Sequence, residues 1–587
     1  MIIPALHDRQ HRRGYLSRTD MVEIAEECNV PLHRVGAVVS FFPHFRTEPP
    51  PKVVVHVCRD MSCHLRASTT ITDRLAEWAG RKYGTDVEVC GVSCLGRCDR
   101  APAAMVGENL VANADPERLR AAIDAEANEQ SFRYDSDWDT LTQKRGQWDM
   151  DVYEKEPTYD IIRAYVNDGG TPKGVLAALE HAGLLGMGGA GGRAYLKWSD
   201  VREAEGSESK KYIVCNADES EPGTFKDREI LLLAPHLTIE GMILAGMIVG
   251  AREGYLYIRH EYPEQIEKCR KEIERAKSIG ALGRSIFGSR YQMELEVFPS
   301  PGGYICGEQT ALIEAMEDKR AEPRNRPPEL MTNGLHDQPT LLSNVETFAW
   351  VPAILKDRGD WFASQGRRDT VLAKGVEDNM KGKRLFSISG DVRRPGVYEV
   401  PTGITLGELI DDHCGGMRDG IGIAAVALSG PSGGLLPPKI PIEYLNQRNL
   451  KERLPAGVLE IDVRDLPLDI QVSRAIGYML GAGIVVYGEG CDVLAEAVAN
   501  SRFYRNESCG KCVPCRIGSQ KITEMGERML AGKVSLGELP VLSDLTMELS
   551  GVMQATSICG LGQVASNPLQ SFLRYFPELA RQACDRS

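Results

Sequence analysis

Val175-Leu-Ala-Ala-Leu-Glu-His-Ala-Gly-Leu-Leu185 runs directly into Gly186-Met-Gly-Gly-Ala-Gly-Gly192. Gly186, Gly188 and Gly191 formally satisfy the dinucleotide pattern G-x-G-x-x-G, which requires a strand in front of it. The residues in front are apolar three and four apart, which is the period of a helix. A standard Rossmann start is therefore disfavoured. A glycine loop feeding Tyr195-Leu-Lys197-Trp198 suits one phosphate held by backbone amides and Lys197, as in a flavin mononucleotide (FMN). A flexible turn is the plainer reading of the same glycines.

The cysteines carry the second signal. Cys509-Gly-Lys-Cys512-Val-Pro-Cys515 offers three thiolates from one loop. A 4Fe-4S cluster needs a fourth, and Cys559, flanked by glycine in Thr556-Ser-Ile-Cys-Gly-Leu-Gly562, is the natural donor. Near the N-terminus, Cys58 and Cys63 (C-x4-C) with Cys94 and Cys98 (C-x3-C) supply two ligands from each of two loops, enough for a 2Fe-2S cluster. Cys90 is set aside because it ends the strand Val87-Glu-Val-Cys90 and is expected to face the core. Zinc also takes four thiolates, but the cysteine run and the wide x4 and x3 gaps favour clusters.

At 587 residues the chain should contain several domains. A formal charge of −13 excludes nucleic acid, whose phosphates require a basic face. No apolar run approaches the roughly 18–20 residues that span a bilayer, so no direct membrane insertion is expected. The first residues, MIIPALHDRQHRRGYLS, carry charges where a signal peptide has its apolar centre. The expected location is cytoplasmic, where thiols serve metal or redox chemistry rather than disulfides.

The pattern divides the chain into a helical segment over 1–49 and an α/β unit with strand-end cysteines, thioredoxin-like in outline, over 50–126. A polar linker follows over 127–156, densest in polar residues to 150. A large α/β domain spans 157–384, a β-rich unit 385–465, and a mainly helical region 466–587. Lys211-Tyr-Ile-Val-Cys215 reads as a strand leading into Asn216-Ala-Asp218-Glu219-Ser-Glu221. Acids and amides at a strand's C-terminal end are placed where α/β folds bind ligands, although a solvated acidic turn has the same composition.

Together these segments resemble a known family over nearly the whole chain. Residues 157–575 resemble the flavoprotein subunit of the NADH-oxidising module of respiratory complex I. The carrying motifs are Gly186–Trp198, Asn216–Asp227, Tyr304-Ile-Cys-Gly307-Glu308-Gln309-Thr, Ser343-Asn344-Val-Glu-Thr347 and Glu507–Cys515. Residues 12–126 resemble its thioredoxin-like 2Fe-2S partner, fused in front, as in diaphorase subunits of NAD-reducing hydrogenases and NAD-dependent formate dehydrogenases. The tail after Cys559 is most similar to the formate dehydrogenase version.

The resemblance implies an α/β multidomain protein with a Rossmann-like FMN-binding domain, a β-grasp soluble-ligand-binding unit and a C-terminal helical bundle carrying 4Fe-4S. It places Gly188, Gly189, Lys197, Asn216, Asp218, Glu308 and Asn344 on FMN, with Gly186, Tyr304, Gly307, Gln309 and Ser343 in the same motifs. Glu219 and Glu221 match acids near the nicotinamide nucleotide. The implied activity is NAD(P)H:acceptor oxidoreduction through FMN and both clusters. Implied partners are other redox subunits: iron-sulfur, molybdenum- or tungsten-type, hydrogenase or complex I. A flavin and iron-sulfur relay without nucleotide binding is the alternative.

Three positions depart from the family pattern. Gly192 stands where a phenylalanine usually follows the glycine loop, Glu329 where one follows Pro327-Pro328, and Gln309 where an acid follows Glu308. Both aromatics normally stack on adenine, at about 1–3 kcal/mol each. Arg324 and Arg326 are the candidates to grip a pyrophosphate or a ribose 2′-phosphate instead, which points toward NADP(H).

Overall fold

The computed structural model describes residues 1–140, 147–205, 210–367, 369–376 and 380–585. Helices Ile2–Arg13, Arg18–Glu27 and Leu32–Phe41 form the N-terminal segment. The second opens on a capping box in which Ser17 and Asp20 each satisfy the other's backbone N–H.

Strands β1 (Val53–Cys58), β2 (Val87–Val92), β3 (Ala104–Val106) and β4 (Asn109–Val111) form a sheet in the order β2-β1-β3-β4. β1 runs parallel to β2 and antiparallel to β3. Val53, Val55 and Val57 alternate into a core shared with helices Ser68–Tyr83 and Pro116–Ala127. The second helix starts as its sequence demands, with Asp115 accepting from the N–H groups of Glu117 and Arg118 at 2.8 Å. β2 continues past Cys90, which is half-buried and donates its thiol to Glu88 at 3.2 Å. That corrects the expectation of a core cysteine ending the strand.

The expected linker over 127–156 lies partly outside the described residues, at 141–146. Its flanks are packed rather than free. Arg97 grips Asp137 at 3.2 and 2.8 Å, Gln265 adds a third bond, and Arg118 pairs with Asp135 at 2.6 Å. Trp148, Met150 and Tyr153 are buried, and the Tyr153 hydroxyl donates to Glu240 at 2.7 Å. Polar composition misleads here because the charges are buried partners.

The large domain is built on four parallel strands, β5 (Tyr212–Ala217), β6 (Glu253–Arg259), β7 (Glu294–Ser300) and β8 (Thr340–Asn344), ordered β7-β6-β5-β8. The glycine loop follows helix Pro172–Ala182, not a strand, and the helix ends at Gly183 in the left-handed region. Asn216 and Asn344 are paired across β5 and β8 at the strands' C-terminal ends. Helix Pro235–Val249 is buried along its whole length. Among the described residues no single helix is long and apolar enough to cross a membrane.

A third sheet contains β9 (Lys383–Gly390), antiparallel β10 (Gly396–Pro401) and β11 (Ile423–Ala427). A separate ribbon, β12 (Lys439–Pro441) with β13 (Glu460–Asp462), interrupts it. The chain then returns as β14 (Gly483–Gly488), parallel to β9, giving the order β10-β9-β14-β11. This sheet therefore reaches past 465, into the region read as helical. Ile484-Val-Val-Tyr487 is a buried, β-branched run lying between two helical patterns. Helices Val493–Glu507, Val513–Leu530, Leu539–Thr556, Gly560–Val564, Asn567–Tyr575 and Pro577–Asp585 close the chain.

Candidate functional site

Beyond the C-terminal ends of β5 and β8 lies a cavity of about 340 Å³, within the range of small-molecule sites. Gly188, Gly189 and Asn344 form one wall, and Asn216, Asp218, Glu219 and Glu221 another. Tyr304, Gly307 and Glu308 complete the expected lining. The remaining expected residues stand behind these walls. The Gly186 N–H donates to the Gly192 carbonyl at 2.7 Å, closing the glycine loop on itself. Lys197 donates to the Gln309 side chain at 3.3 Å and to the Leu342 carbonyl at 2.5 Å. Ser343 pairs with Cys215 in the sheet.

The residues present fit a flavin phosphate and its polar ring. A Cβ at Gly188 would stand 3.2 Å from the Asn344 Cβ, so a side chain there would crowd the wall that Asn344 forms. Glu221 Oε1 and Thr224 Oγ1 are buried on the cavity side with no partner, and such groups require a ligand or water. Lys226 is the one cation among the described lining residues. It is held by Asp227 at 2.5 Å, Asn344 at 3.0 Å and Glu346 at 3.1 Å.

The acids are strongly perturbed. Burial lifts the Asp218 pKa to about 6, against the pull of Arg259. Burial and the neighbouring Asp227 lift Glu219 to about 8, and burial lifts Glu221 to about 7. Lys197 is drawn down to about 8 by burial and by Arg326. A cleft holding several near-neutral carboxyls marks a functional site.

Cys58, Cys63, Cys94 and Cys98 are all buried. The Cys94 and Cys98 sulfurs lie 3.4 Å apart, and Cys58 is hydrogen-bonded to Cys63 and Cys94. Gly96 donates its N–H to Cys94 Sγ at 3.3 Å, and Gly223, from the flavin-side loop, donates to Cys98 Sγ at 3.3 Å. Cys509, Cys512, Cys515 and Cys559 line a second, smaller cavity together. A Cβ at Gly562 would sit 2.8 Å from the Cys515 Cβ, so glycine keeps that approach open. Among the described residues no group of three or more His, Cys, Asp or Glu is arranged to hold a single metal ion. The all-thiolate donor sets suit inorganic iron-sulfur cores. Ile305 and Leu561 line both the four-cysteine cavity and the flavin cavity.

Arg324 is committed to Glu314, Glu317 and the carbonyls of Asn333 and Gly334, which corrects its expected role as a phosphate grip. Arg326 pairs with the cavity-lining Glu308 at 3.2 Å and with Glu329 at 3.5 Å. Sequence reading missed Lys226, although it lay inside a quoted motif. It also missed Ser429, Ser432 and Met479–Ala482, which reach the cavity from the third-sheet unit. Nothing in their local sequence marks them.

This arrangement defines a flavin and iron-sulfur oxidoreductase subunit. Residues 179–353 match the Nuo51 FMN-binding domain, 1–127 the thioredoxin-like [2Fe-2S] ferredoxin, 385–434 the SLBB domain, and 495–583 the NADH-ubiquinone oxidoreductase-F iron-sulfur binding region. An F-type NADH-quinone oxidoreductase subunit of Rhizobium meliloti (strain 1021) is 36% identical over 428 residues, 73% of this chain and 92% of the relative. NADP-reducing hydrogenase subunit HndC of Solidesulfovibrio fructosivorans is 37% identical over 407 residues, 69% of this chain and 75% of the relative. A chain of an NAD+-reducing [NiFe]-hydrogenase in the H2-reduced state superposes with a TM-score of 0.82 at 29% identity, covering 99% of this chain and 93% of that one. The chain belongs to the family of NADH dehydrogenase flavoprotein subunits, with FMN-, 2Fe-2S- and 4Fe-4S-binding regions in one polypeptide.

Proposed function

We propose that the chain exchanges electrons between NAD(P)H and a partner redox subunit. Bound FMN supplies the conversion between two-electron hydride chemistry and one-electron cluster chemistry. The chain's own residues do the holding. Gly188, Gly189, Lys197 and Asn344 receive the phosphate end, with Lys226 behind Asn344, and Asn216, Asp218, Tyr304 and Glu308 orient the ring. Glu219 and Glu221 face the nicotinamide. Cys58, Cys63, Cys94 and Cys98 hold one cluster, and Cys509, Cys512, Cys515 and Cys559 the other. Most of the catalysis is positioning. The observation that carries this reading is the pair Ile305 and Leu561, which wall the flavin cavity on one side and the four-cysteine cavity on the other.

Val513 and Ile517, one turn apart on the helix that follows Cys512, are exposed apolar residues, and an apolar face beside a cluster suits a partner subunit. The same reading puts the chain in the cytoplasm, peripheral to the membrane only through partners. The test is reduction of a viologen by anaerobically purified holo-protein with NADH and NADPH in separate titrations. Turnover with either nucleotide supports the proposal, and Arg326, exposed beside the cavity-lining Glu308, is the residue that would favour NADPH. Flavin and iron present with neither nucleotide active would support a relay subunit instead. Gly192, a glycine where the family pattern has an aromatic residue, is the position on that side.

A further inference from the structure

The 2Fe-2S loop and the 4Fe-4S loop come from opposite ends of the chain, and a cleft of about 560 Å³ lies between Cys94 and Cys509. Glu507 spans it. One carboxylate oxygen accepts from the hydroxyl of Ser93, the neighbour of Cys94. The other accepts from the Tyr304 backbone N–H at 2.8 Å, and Tyr304 lines the flavin cavity. The backbone of Glu507 itself leads, through Ser508, into Cys509. A Cβ at Gly303 would lie 3.7 Å from the same carboxylate, so the flavin-side turn approaches it closely. One side chain thus touches the loop of each redox site.

We infer that Glu507 is a positioning residue shared by all three sites. Its two hydrogen bonds hold the 2Fe-2S loop and the flavin-side turn against the 4Fe-4S loop. Its negative charge also lies near both clusters, where net charge and hydrogen bonding set reduction potentials. A carboxylate there opposes the arrival of an electron, so it holds both potentials down. This rests on the redox reading given above.

The test is an anaerobic redox titration of full-length holo-protein followed by electron paramagnetic resonance. Glu507→Gln keeps the size of the side chain and an acceptor for Tyr304 while removing the charge. Both cluster midpoints should move to more positive potential, with flavin and iron content retained. Ser93→Ala cuts one arm only, so the 2Fe-2S spectrum and midpoint should change while the 4Fe-4S signal stays as in the parent. Parent-like midpoints for both clusters in Glu507→Gln would overturn the inference. Should Glu507→Gln lose a cluster altogether, Ser93→Ala decides alone, and an unmoved 2Fe-2S midpoint overturns the inference. A parent protein lacking iron or flavin would instead overturn the redox reading, so the two failures are distinguishable.

Discussion

Replacing Lys226 by methionine tests the flavin cavity most directly. The lysine is buried at 1% exposure, between Asp227 at 3% and Glu346 at 0%. Burial pulls its pKa down, but Asp227, Glu346 and Glu219 pull it up by more, so it is a cation in the folded chain. Lys226→Met leaves Asp227 with one bond from Asn344 at 2.6 Å, and Glu346 with the Leu385 N–H at 2.7 Å and a long one from Trp350. Asp227 then lacks its cation, and Glu346 keeps only the more distant pull of Arg384. Removing one partner of a buried ion pair costs about 3–5 kcal/mol, or roughly two to four decades in an equilibrium constant. Lys226→Met with Glu346→Gln removes one orphaned charge and should recover about 0.5–3 kcal/mol of that loss. Urea unfolding followed by tryptophan fluorescence reads this well, because Trp198 and Trp350 are buried in the same core. Flavin retained after gel filtration gives a second reading, and it should fall in the single variant. A single variant within about 1 kcal/mol of the parent, or a double variant no better than the single, would refute the reasoning.

Glu221 gives a pH test. Burial raises it to about 7 from 4.5, so the folded chain keeps a proton that the unfolded chain releases. Stability contributed at low pH is therefore lost as pH rises through that window. Glu221→Gln should flatten the fall between pH 4.5 and about 7 by up to roughly 3 kcal/mol, and an unchanged slope in urea titrations would contradict it. Gly562→Val drives a side chain into Ser557 and Cys515, where a Cβ would already lie 2.6 Å from the Ser557 Oγ and 2.8 Å from the Cys515 Cβ. Iron content should drop while flavin remains, as measured by chemical iron assay and visible absorption. Cys559→Ala should abolish the 4Fe-4S resonance and leave the 2Fe-2S resonance intact. Loss of both, or neither, would remove Cys559 from the second quartet.

Much of this was legible in the sequence. The helical spacing of residues 175–185 showed that the glycine loop is not a strand-fed Rossmann turn, because period is a local property. The cysteine quartets were readable because chemistry fixes their number and spacing. What stayed hidden depended on distant contacts. Ile484-Val-Val-Tyr487 reads as a strand only once β9 is there to pair with it. Ser136 and Asp137 read as solvated linker until Arg97 and Glu264 arrive from two other segments. Arg324 looked free because its partners, Glu314 and Glu317, are ordinary helix-surface acids in sequence.

Arg228, fully buried, bonds both oxygens of Asp99 at 2.9 and 3.1 Å and the Gly96 carbonyl at 2.7 Å, clamping the front unit onto the flavin domain. Because both halves also share one polypeptide, re-docking after any transient opening is intramolecular. Its effective concentration is set by tether length rather than by expression level. A one-to-one stoichiometry of the two modules is thereby built into translation itself, and dilution should not strip the smaller iron centre from the larger body.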